Sequence, residues 1–307
     1  MTLQRNDQRV LDYAPCRYGK TRVDFRGPRK TLRGRYVAFL GGTETYGKFI
    51  KTPYPQLVER KIGLPCVNFG LMNAGLDVFL NESEVLSFAA NAEATVIQIL
   101  GAQNISNRLY RVHPRRNDRF LQPSALMQSI FHDVDFSEYN FTRHMLQGVS
   151  HQAVERFSFV REELRSAWSA RMRSLLDHIP GQKVLLWFAD HPPPTRLPKR
   201  SLGRDPLFVD SGMIDALRPF VSGVIQIRLS EQARRAGTQG MVFRDLDRQV
   251  AEQMLGPQAH EEAALKLSQH LETILSGSSN REPRFVRRKN RVPNERMPAH
   301  KTKKGPH

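Results

Sequence analysis

The chain has 307 residues, of which 39% are hydrophobic, and this is enough to bury one sizeable core. Its net charge of +17 is concentrated at the ends, because residues 1–35 carry ten Lys/Arg against three Asp and residues 277–307 carry ten against two Glu. The body between them is nearly neutral, so the charge does not identify it as a nucleic-acid-binding domain.

The number of cysteines and the length of the apolar runs indicate the cellular compartment of the protein. Cys16 and Cys66 are the two cysteines of the chain, which is too few for a disulfide framework and is typical of a reducing environment. The first ten residues lack the apolar segment of a signal peptide, and the longest apolar run, residues 184–189, is too short to span a bilayer. We therefore expect a cytoplasmic protein without a membrane span.

After a basic arm over residues 1–35, the main domain is expected to cover residues 36–276. Strands are predicted at residues 36–40, 66–69 and 95–100, and each stops at a glycine. Polar residues and an amphipathic helix follow the first two strands. This repeated order predicts right-handed βαβ crossovers and a parallel sheet.

The next segment, residues 105–150, is too long and too polar for an ordinary connection. A long insertion at the carboxyl end of a strand commonly forms a lid or one wall of a pocket, and we expect that here. Arginines are clustered in this insertion within the sequence HPRRNDR, at Arg115, Arg116 and Arg119. A solvated surface is the simpler interpretation of this cluster, and recognition of a phosphorylated, sulfated or carboxylated substrate is the alternative.

The remaining elements complete an α/β pattern. Apolar residues at helical spacing predict a helix from about residue 153 to 179, strands follow at residues 184–188 and 223–227, and a last amphipathic helix covers residues 258–275. Residues 277–307 contain almost nothing to bury, so we expect a disordered basic tail.

Polar residues follow the carboxyl ends of the predicted strands. They are Thr43, the stretch Gly70 to Gly75, Asn104 and Asp190, and His260 lies at the start of the last helix. Ligands of open parallel sheets bind at this edge. A hydroxyl, an amide, a glycine-flanked backbone and a histidine are the groups that acyl transfer requires.

Four stretches resemble the blocks of the SGNH (GDSL-type) hydrolases. They are GGTETYG from Gly41, YPQLVERKIGLPCVNFG from Tyr54, GAQN ending at Asn104, and GPQAH ending at His260. The resemblance covers residues 36–104 and 183–275, and a narrower, uncharacterised bacterial family of such proteins fits as well. It implies a flavodoxin-like three-layer α/β/α fold with a five-stranded parallel sheet and a long insertion after strand three. No cofactor or metal is implied.

The resemblance also implies roles for individual residues. Thr43 occupies the nucleophile position, and His260 is the general base and then the general acid. Asn104 and a backbone N–H of Gly70 or Gly75 would stabilise the oxyanion.

Two departures from the family pattern concern the reacting groups. Thr43 replaces the serine, and its β-branched hydroxyl is more hindered. Pro257 replaces the aspartate that orients the histidine, and Asp190 is the conceivable substitute for orienting His260.

The expected function is that of an esterase or acyltransferase on a polar, anionic or saccharide substrate, with Arg115, Arg116 and Arg119 contacting that substrate. The basic tail could bind an anionic partner. One alternative is a catalytically inactive SGNH-like binding or scaffold protein. A second alternative is a P-loop-like nucleotide-binding protein or sulfotransferase, because residues 42–49 fit G-x-x-x-x-G-K, with Phe49 in place of Ser or Thr.

Overall fold

A computed structural model describes residues 11–198 and 201–276 of the chain. The strands are β1 (Val37–Gly41), β2 (Cys66–Gly70), β3 (Ala94–Gln98), β4 (Tyr110–Val112), β5 (Phe120–Pro123), β6 (Gln182–Trp187) and β7 (Gly223–Gln226). The α-helices are α1 (Thr43–Tyr46), α2 (Tyr54–Ile62), α3 (Leu76–Leu80), α4 (Ser83–Asn91), α5 (Ala125–Ile130), α6 (Thr142–Gln152), α7 (Phe157–Asp177), α8 (Ser211–Asp215), α9 (Glu231–Ala236), α10 (Arg248–Ala251) and α11 (Pro257–Ser276). Short 3₁₀ segments cover Phe136–Glu138, Arg218–Phe220 and Asp245–Asp247.

Five strands form one parallel sheet in the order β2-β1-β3-β6-β7. Val37 is in register with Cys66 on one side and with Ala94 on the other. The chain therefore reverses its direction of travel across the sheet between β1 and β3, which is the switch point where such folds bind ligands. The predicted α/β fold with a five-stranded parallel sheet is confirmed.

Helices cover both faces of the sheet, because its central strands are apolar on both sides. In β1, Ala38 and Leu40 belong to the core that includes residues of α3, α4 and α7, whereas Val37 and Phe39 belong to the core beneath α2 and α11. All five residues of the strand are buried. Strands that are apolar on both faces are typical of parallel sheets covered by helices, and the result here is a three-layer α/β/α architecture.

The segment predicted as an insertion, residues 105–150, has secondary structure of its own. It contains the antiparallel pair β4–β5, the helix α5 and most of α6. Its function as a lid stays a prediction.

The arm is described from residue 11 onward, and this part packs into the core. The rings of Tyr18 and Phe25 meet the ring of Phe69 edge-on, with centroids 5.3 and 5.1 Å apart. Arg26 is also buried. The tail over residues 277–307 lies outside the described residues. Within the part of the chain that is described, every helix is too short or too polar to cross a bilayer.

Candidate functional site

The candidate site lies at the carboxyl edge of the sheet, where α1 follows β1 directly. Thr43 is the first residue of α1, and the residue is 7% exposed. Its Oγ1 accepts the backbone N–H of Asn73 at 3.0 Å and donates to Oδ1 of the same residue at 3.3 Å. Asn73 has a left-handed backbone, with φ of 54°, which asparagine tolerates better than most residues. The loop after β2 therefore delivers a backbone N–H to the Thr43 hydroxyl.

Asn104 joins the same group of residues from the loop after β3. Its Nδ2 donates to the backbone carbonyl of Asn73 at 3.1 Å, and its Oδ1 accepts a hydrogen bond from the Thr142 hydroxyl at 2.6 Å. The amide has a second N–H, which has no partner among the described residues. We call Thr43, Asn73 and Asn104 the Thr43 cluster. It combines a hydroxyl, a backbone N–H and a side-chain amide at the switch point.

The two glycines predicted to supply an oxyanion N–H use these groups elsewhere. The N–H of Gly70 donates to Oδ1 of Asn68 at 2.8 Å, and that of Gly75 donates to Oδ1 of Asn117 at 3.0 Å. The N–H that reaches Thr43 belongs to Asn73, which sequence reasoning missed. The available signal was an asparagine within the glycine-flanked run NFGLMNAG.

His260 is held in a separate, buried environment. It is 1% exposed, and its Nδ1 accepts the backbone N–H of Tyr54 at 3.2 Å. Its ring is stacked on that of Tyr54 and meets the ring of Phe188 edge-on, with centroids 5.9 and 5.2 Å apart. Burial, together with the smaller effect of the nearby Arg26 charge, lowers its pKa to about 3, and a hydrogen bond with the backbone of Leu255 acts in the opposite direction.

The hydrogen-bond pattern assigns the tautomer of this histidine. A neutral imidazole whose Nδ1 accepts a hydrogen bond carries its proton on Nε2. In this state Nε2 of His260 is a donor and cannot take a proton from a hydroxyl. Within the described chain, Thr43 and His260 share no hydrogen bond, so the structure does not join these two predicted residues.

Asp190 likewise has a partner other than His260. This half-exposed carboxylate forms an ion pair with Arg204. Pro257, at the position of the family aspartate, is the first residue of α11, where proline is well tolerated. Among the described residues, His260 therefore donates no hydrogen bond to a carboxylate.

The predicted arginine cluster lies in a loop that is attached to the Thr43 cluster. Nδ1 of His113 accepts the backbone N–H groups of Arg115 and Arg116 at 3.2 and 3.1 Å, which closes a tight turn. In the same loop, Oδ2 of Asp118 accepts a hydrogen bond from Nδ2 of Asn73 at 3.1 Å. The guanidinium group of Arg119 lies 5.2 Å from the ring centroid of Phe141.

The three arginines of this loop are exposed. Within the described residues, Arg115 and Arg116 have no ion-pair partner. Their charges therefore stay available to a ligand beside the Thr43 cluster.

Comparisons with known proteins identify the family. The domain of unknown function DUF6473 matches residues 1–275. The chain belongs to the DUF6473 family. A search of curated proteins found no match. Among solved structures, the DUF6473 chain is similar to a lipase from a goat rumen metagenome, with 9% sequence identity and a TM-score of 0.35 over 78% of this chain and 97% of that chain. The fold assignment rests on the sheet topology described above.

The DUF6473 chain contains a further polar network that sequence reasoning missed. Oε2 of Glu44 accepts a hydrogen bond from Nε2 of Gln98 at 2.7 Å. Oε1 of Gln98 accepts the N–H of Gly42 at 2.9 Å and the Thr45 hydroxyl at 2.6 Å, and the hydroxyl groups of Thr45 and Tyr54 lie 2.7 Å apart. Burial raises the pKa of Glu44. This network links the edge of the sheet to Tyr54, whose backbone N–H binds His260.

The P-loop alternative does not fit the backbone of the DUF6473 chain. Residues 42–49 contain the helix α1, which ends at Tyr46 and is capped by Gly47, where a P-loop would form an open turn around a phosphate. The carbonyl groups of Tyr46 and Gly47 bind the Arg26 guanidinium at 3.1 and 2.5 Å. This segment presents hydrogen-bond acceptors to a cation and has no cradle for an anion.

Proposed function

We propose that the chain binds a polar, anionic or saccharide ligand at the Thr43 cluster without cleaving it, on an SGNH-like α/β/α domain. The observation that carries this proposal is the hydrogen bond from the Tyr54 N–H to Nδ1 of His260. It leaves the proton on Nε2, so the residue in the position of the general base has no free acceptor.

The local bonding of Thr43 supports the same proposal. A nucleophilic hydroxyl needs a base that accepts its proton, and the acceptor at Thr43 is the side-chain oxygen of Asn73. An amide oxygen does not take up a proton at neutral pH. The hydroxyl can still exchange this partner for a ligand oxygen, which suits binding.

The position of the arginine loop supports an anionic ligand. Asp118 and Asn117 attach this loop to Asn73 and Gly75, beside the Thr43 cluster. The exposed Arg115 lies between them and His113, and its guanidinium group can pair with a carboxylate, sulfate or phosphate. The spare N–H of Asn104 would bind an acyl or hydroxyl oxygen of the same ligand.

A second candidate function is an esterase or acyltransferase, and the 3.0 Å contact between the Asn73 N–H and Oγ1 of Thr43 favours it. Thr43 would attack the ester carbonyl carbon while His260 takes its proton and then returns it to the leaving alcohol. Asn73 and Asn104 would bind the oxyanion, and water or an acceptor alcohol would release the acyl group. This route requires His260 to release Tyr54, with Asp190 as its proposed orienting partner.

One pair of measurements separates these candidates. We expect the purified chain to resist labelling by a fluorophosphonate probe and to leave p-nitrophenyl acetate intact. We expect glucuronate, as an anionic saccharide probe, to bind in isothermal titration calorimetry. Thr43→Val keeps the shape of the side chain without its hydroxyl and should weaken this binding about tenfold, as loss of one hydrogen bond to a charged ligand does.

The contrary results would favour the enzyme. Labelling that is lost in both Thr43→Val and His260→Gln would replace the binding proposal with catalysis by these two residues. Arg60→Gln, on the exposed face of α2, is the control for general loss of positive charge. Equal weakening of glucuronate binding by Arg60→Gln and Arg115→Gln would contradict the assignment of the arginine loop.

A further inference from the structure

An open surface cavity, of about 480 Å³, lies between the segment that follows Asn104 and the helix α7. Its volume is in the range of small-molecule binding sites. Three of its wall residues are arginines, namely Arg108, Arg111 and Arg171. Such a concentration of guanidinium groups around one cavity indicates an anionic ligand.

A buried carboxylate fixes the position of the first arginine. Nε and Nη2 of Arg108 lie 2.7 and 2.5 Å from Oε2 of Glu163. The Glu163 side chain is 9% exposed, and its other oxygen accepts the backbone N–H of Arg108 at 3.0 Å. The Nη1 group of Arg108 has no partner among the described residues. One edge of the guanidinium is therefore anchored, and the remaining N–H groups stay available.

The second arginine repeats this arrangement. Nε of Arg171 donates to Oδ1 of Asp77 at 2.9 Å, and its Nη2 donates to the carbonyl of Ser106 at 3.5 Å. The Asp77 side chain is 8% exposed, and its Oδ2 accepts the N–H of Ser106 at 2.7 Å. The Nη1 group of Arg171 is again without a partner in the described chain. Anchored guanidinium groups lose little conformational freedom when a ligand binds.

Arg111 carries a positive charge that neither Glu163 nor Asp77 neutralises. It is the exposed middle residue of β4, and its side chain has no ion-pair partner among the described residues. Three arginines against the carboxylates of Glu163 and Asp77 leave one net positive charge at the cavity. The exposed Ser166 on α7 adds a hydroxyl that makes no hydrogen bond within the described chain.

We propose that this cavity is a binding site for a phosphorylated small molecule, whose phosphate group is held by Arg108, Arg111 and Arg171. A phosphate offers several acceptor oxygens to the planar forks of these arginines, which a single carboxylate does not. The proposal is independent of the Thr43 cluster. In the described chain, no residue of the Thr43 cluster forms a hydrogen bond with Arg108, Arg111 or Arg171.

The test is calorimetric titration of the full chain with inorganic pyrophosphate at low ionic strength. Arg111→Gln removes the unpaired charge, leaves both buried carboxylates paired, and should weaken binding about 10- to 100-fold. Ser166→Asp removes no contact of the fold, places a negative charge at the cavity wall, and should weaken binding to a similar extent. Arg60→Gln carries the same change of charge as Arg111→Gln on a distant helix and should bind normally.

Arg115→Gln distinguishes binding at the cavity from binding at the Thr43 cluster. It alters the loop beside the Thr43 cluster and should leave pyrophosphate binding unchanged. Failure of glucuronate binding therefore leaves this proposal intact. The proposal is overturned if the wild-type chain fails to bind pyrophosphate at low-millimolar concentration. It is also overturned if Arg111→Gln and Ser166→Asp bind as well as the wild type, or if Arg60→Gln is weakened to the same degree.

Discussion

His260 and Tyr54 join the two helices on one face of the sheet. Tyr54 is the first residue of α2, and its N–H is one of those that a helix cannot satisfy internally. Nδ1 of His260, from the first turn of α11, accepts this N–H at 3.2 Å. The histidine thus caps a neighbouring helix, and the positive end of that helix opposes a charge on the imidazole.

Removal of this cap should destabilise the fold. His260→Ala is expected to lower the free energy of unfolding by about 3 kcal/mol, because it empties a packed site and leaves the Tyr54 N–H unsatisfied. Urea denaturation measures this difference. His132→Ala, at an exposed histidine, is the control and should change the free energy by less than about 0.5 kcal/mol. Equal effects of the two substitutions would contradict the capping role.

The low pKa of His260 predicts how stability depends on pH. The folded-state pKa of about 3 lies below the ordinary value of 6.5, so the unfolded chain binds this proton more tightly. The stability that the neutral imidazole contributes is fully present above pH 6.5 and is lost as the pH falls toward 3. Over this range the free energy of unfolding changes by at most about 1.4 kcal/mol per pH unit. His260→Gln should flatten this part of the stability curve in urea titrations at several pH values. An unchanged slope would show that the imidazole is accessible to protons.

Glu44 should have the opposite dependence on pH. Burial raises its pKa above the ordinary value of 4.5, so the folded chain holds this proton more tightly than the unfolded chain does. Its stabilising contribution is present below the unfolded-state pKa and is lost as the pH rises through the folded-state pKa.

Glu44→Gln keeps an oxygen that can accept the hydrogen bond from Gln98 and removes the charge. We expect a more stable protein near pH 7 and a flatter stability curve above pH 4.5. Glu138→Gln, at an exposed position, supplies the control. A loss of stability in Glu44→Gln at pH 7 would indicate that the carboxylate has a cationic partner when charged.

The sequence predicts the fold and one part of the candidate site, for a common physical reason. Strands of a parallel sheet end at one edge, so Thr43 after β1 and Asn104 after β3 were expected close together, and Asn73 bridges them. This reasoning needs strand order and direction alone. It is independent of side-chain rotamers.

The rest of the site could not be predicted from the sequence, because it depends on local backbone conformation and on the packing of helices that are far apart in the chain. The spacing pointed to Gly70 or Gly75 as the oxyanion donor, but the N–H at Thr43 comes from Asn73 in a left-handed conformation. The tautomer of His260 depends on an N–H that lies 206 residues earlier in the chain. Such a contact depends on how α2 packs against α11, which a motif does not encode.

Arg26 is expected to be essential for the stability of the loop between α1 and α2. This buried guanidinium donates to four backbone carbonyls, of Tyr46, Gly47, Ile50 and Lys51. Arg26→Lys cannot reach all of them with one ammonium group. It should lower the free energy of unfolding by about 3 kcal/mol, because buried carbonyls lose their donors.

The matched control for this change is Arg17→Lys. Arg17 is exposed and pairs with an exposed carboxylate, Asp24, so its replacement should be nearly neutral. Urea denaturation measures both variants. A stability of Arg26→Lys equal to that of Arg17→Lys would show that water can replace the guanidinium at these carbonyls.

Gly75 allows the loop after β2 to approach Asn104 closely, and this contact should determine the geometry of the Thr43 cluster. A Cβ atom at Gly75 would lie 1.7 Å from the backbone oxygen of Asn104, so Gly75→Ala must displace one of the two loops. We expect a loss of about 2 kcal/mol in the free energy of unfolding, in the range of overpacking substitutions, together with weaker glucuronate binding.

Gly181→Ala is the control for this substitution, because a Cβ atom there has its nearest neighbour at an ordinary distance of 3.6 Å. Both changes add one methyl group and restrict the unfolded chain equally, so the difference between them isolates the clash. Thermal unfolding and calorimetry on both variants measure stability and binding. If Gly75→Ala loses stability and still binds glucuronate normally, the ligand does not depend on the position of Asn104, and the Thr43 cluster is not its binding site.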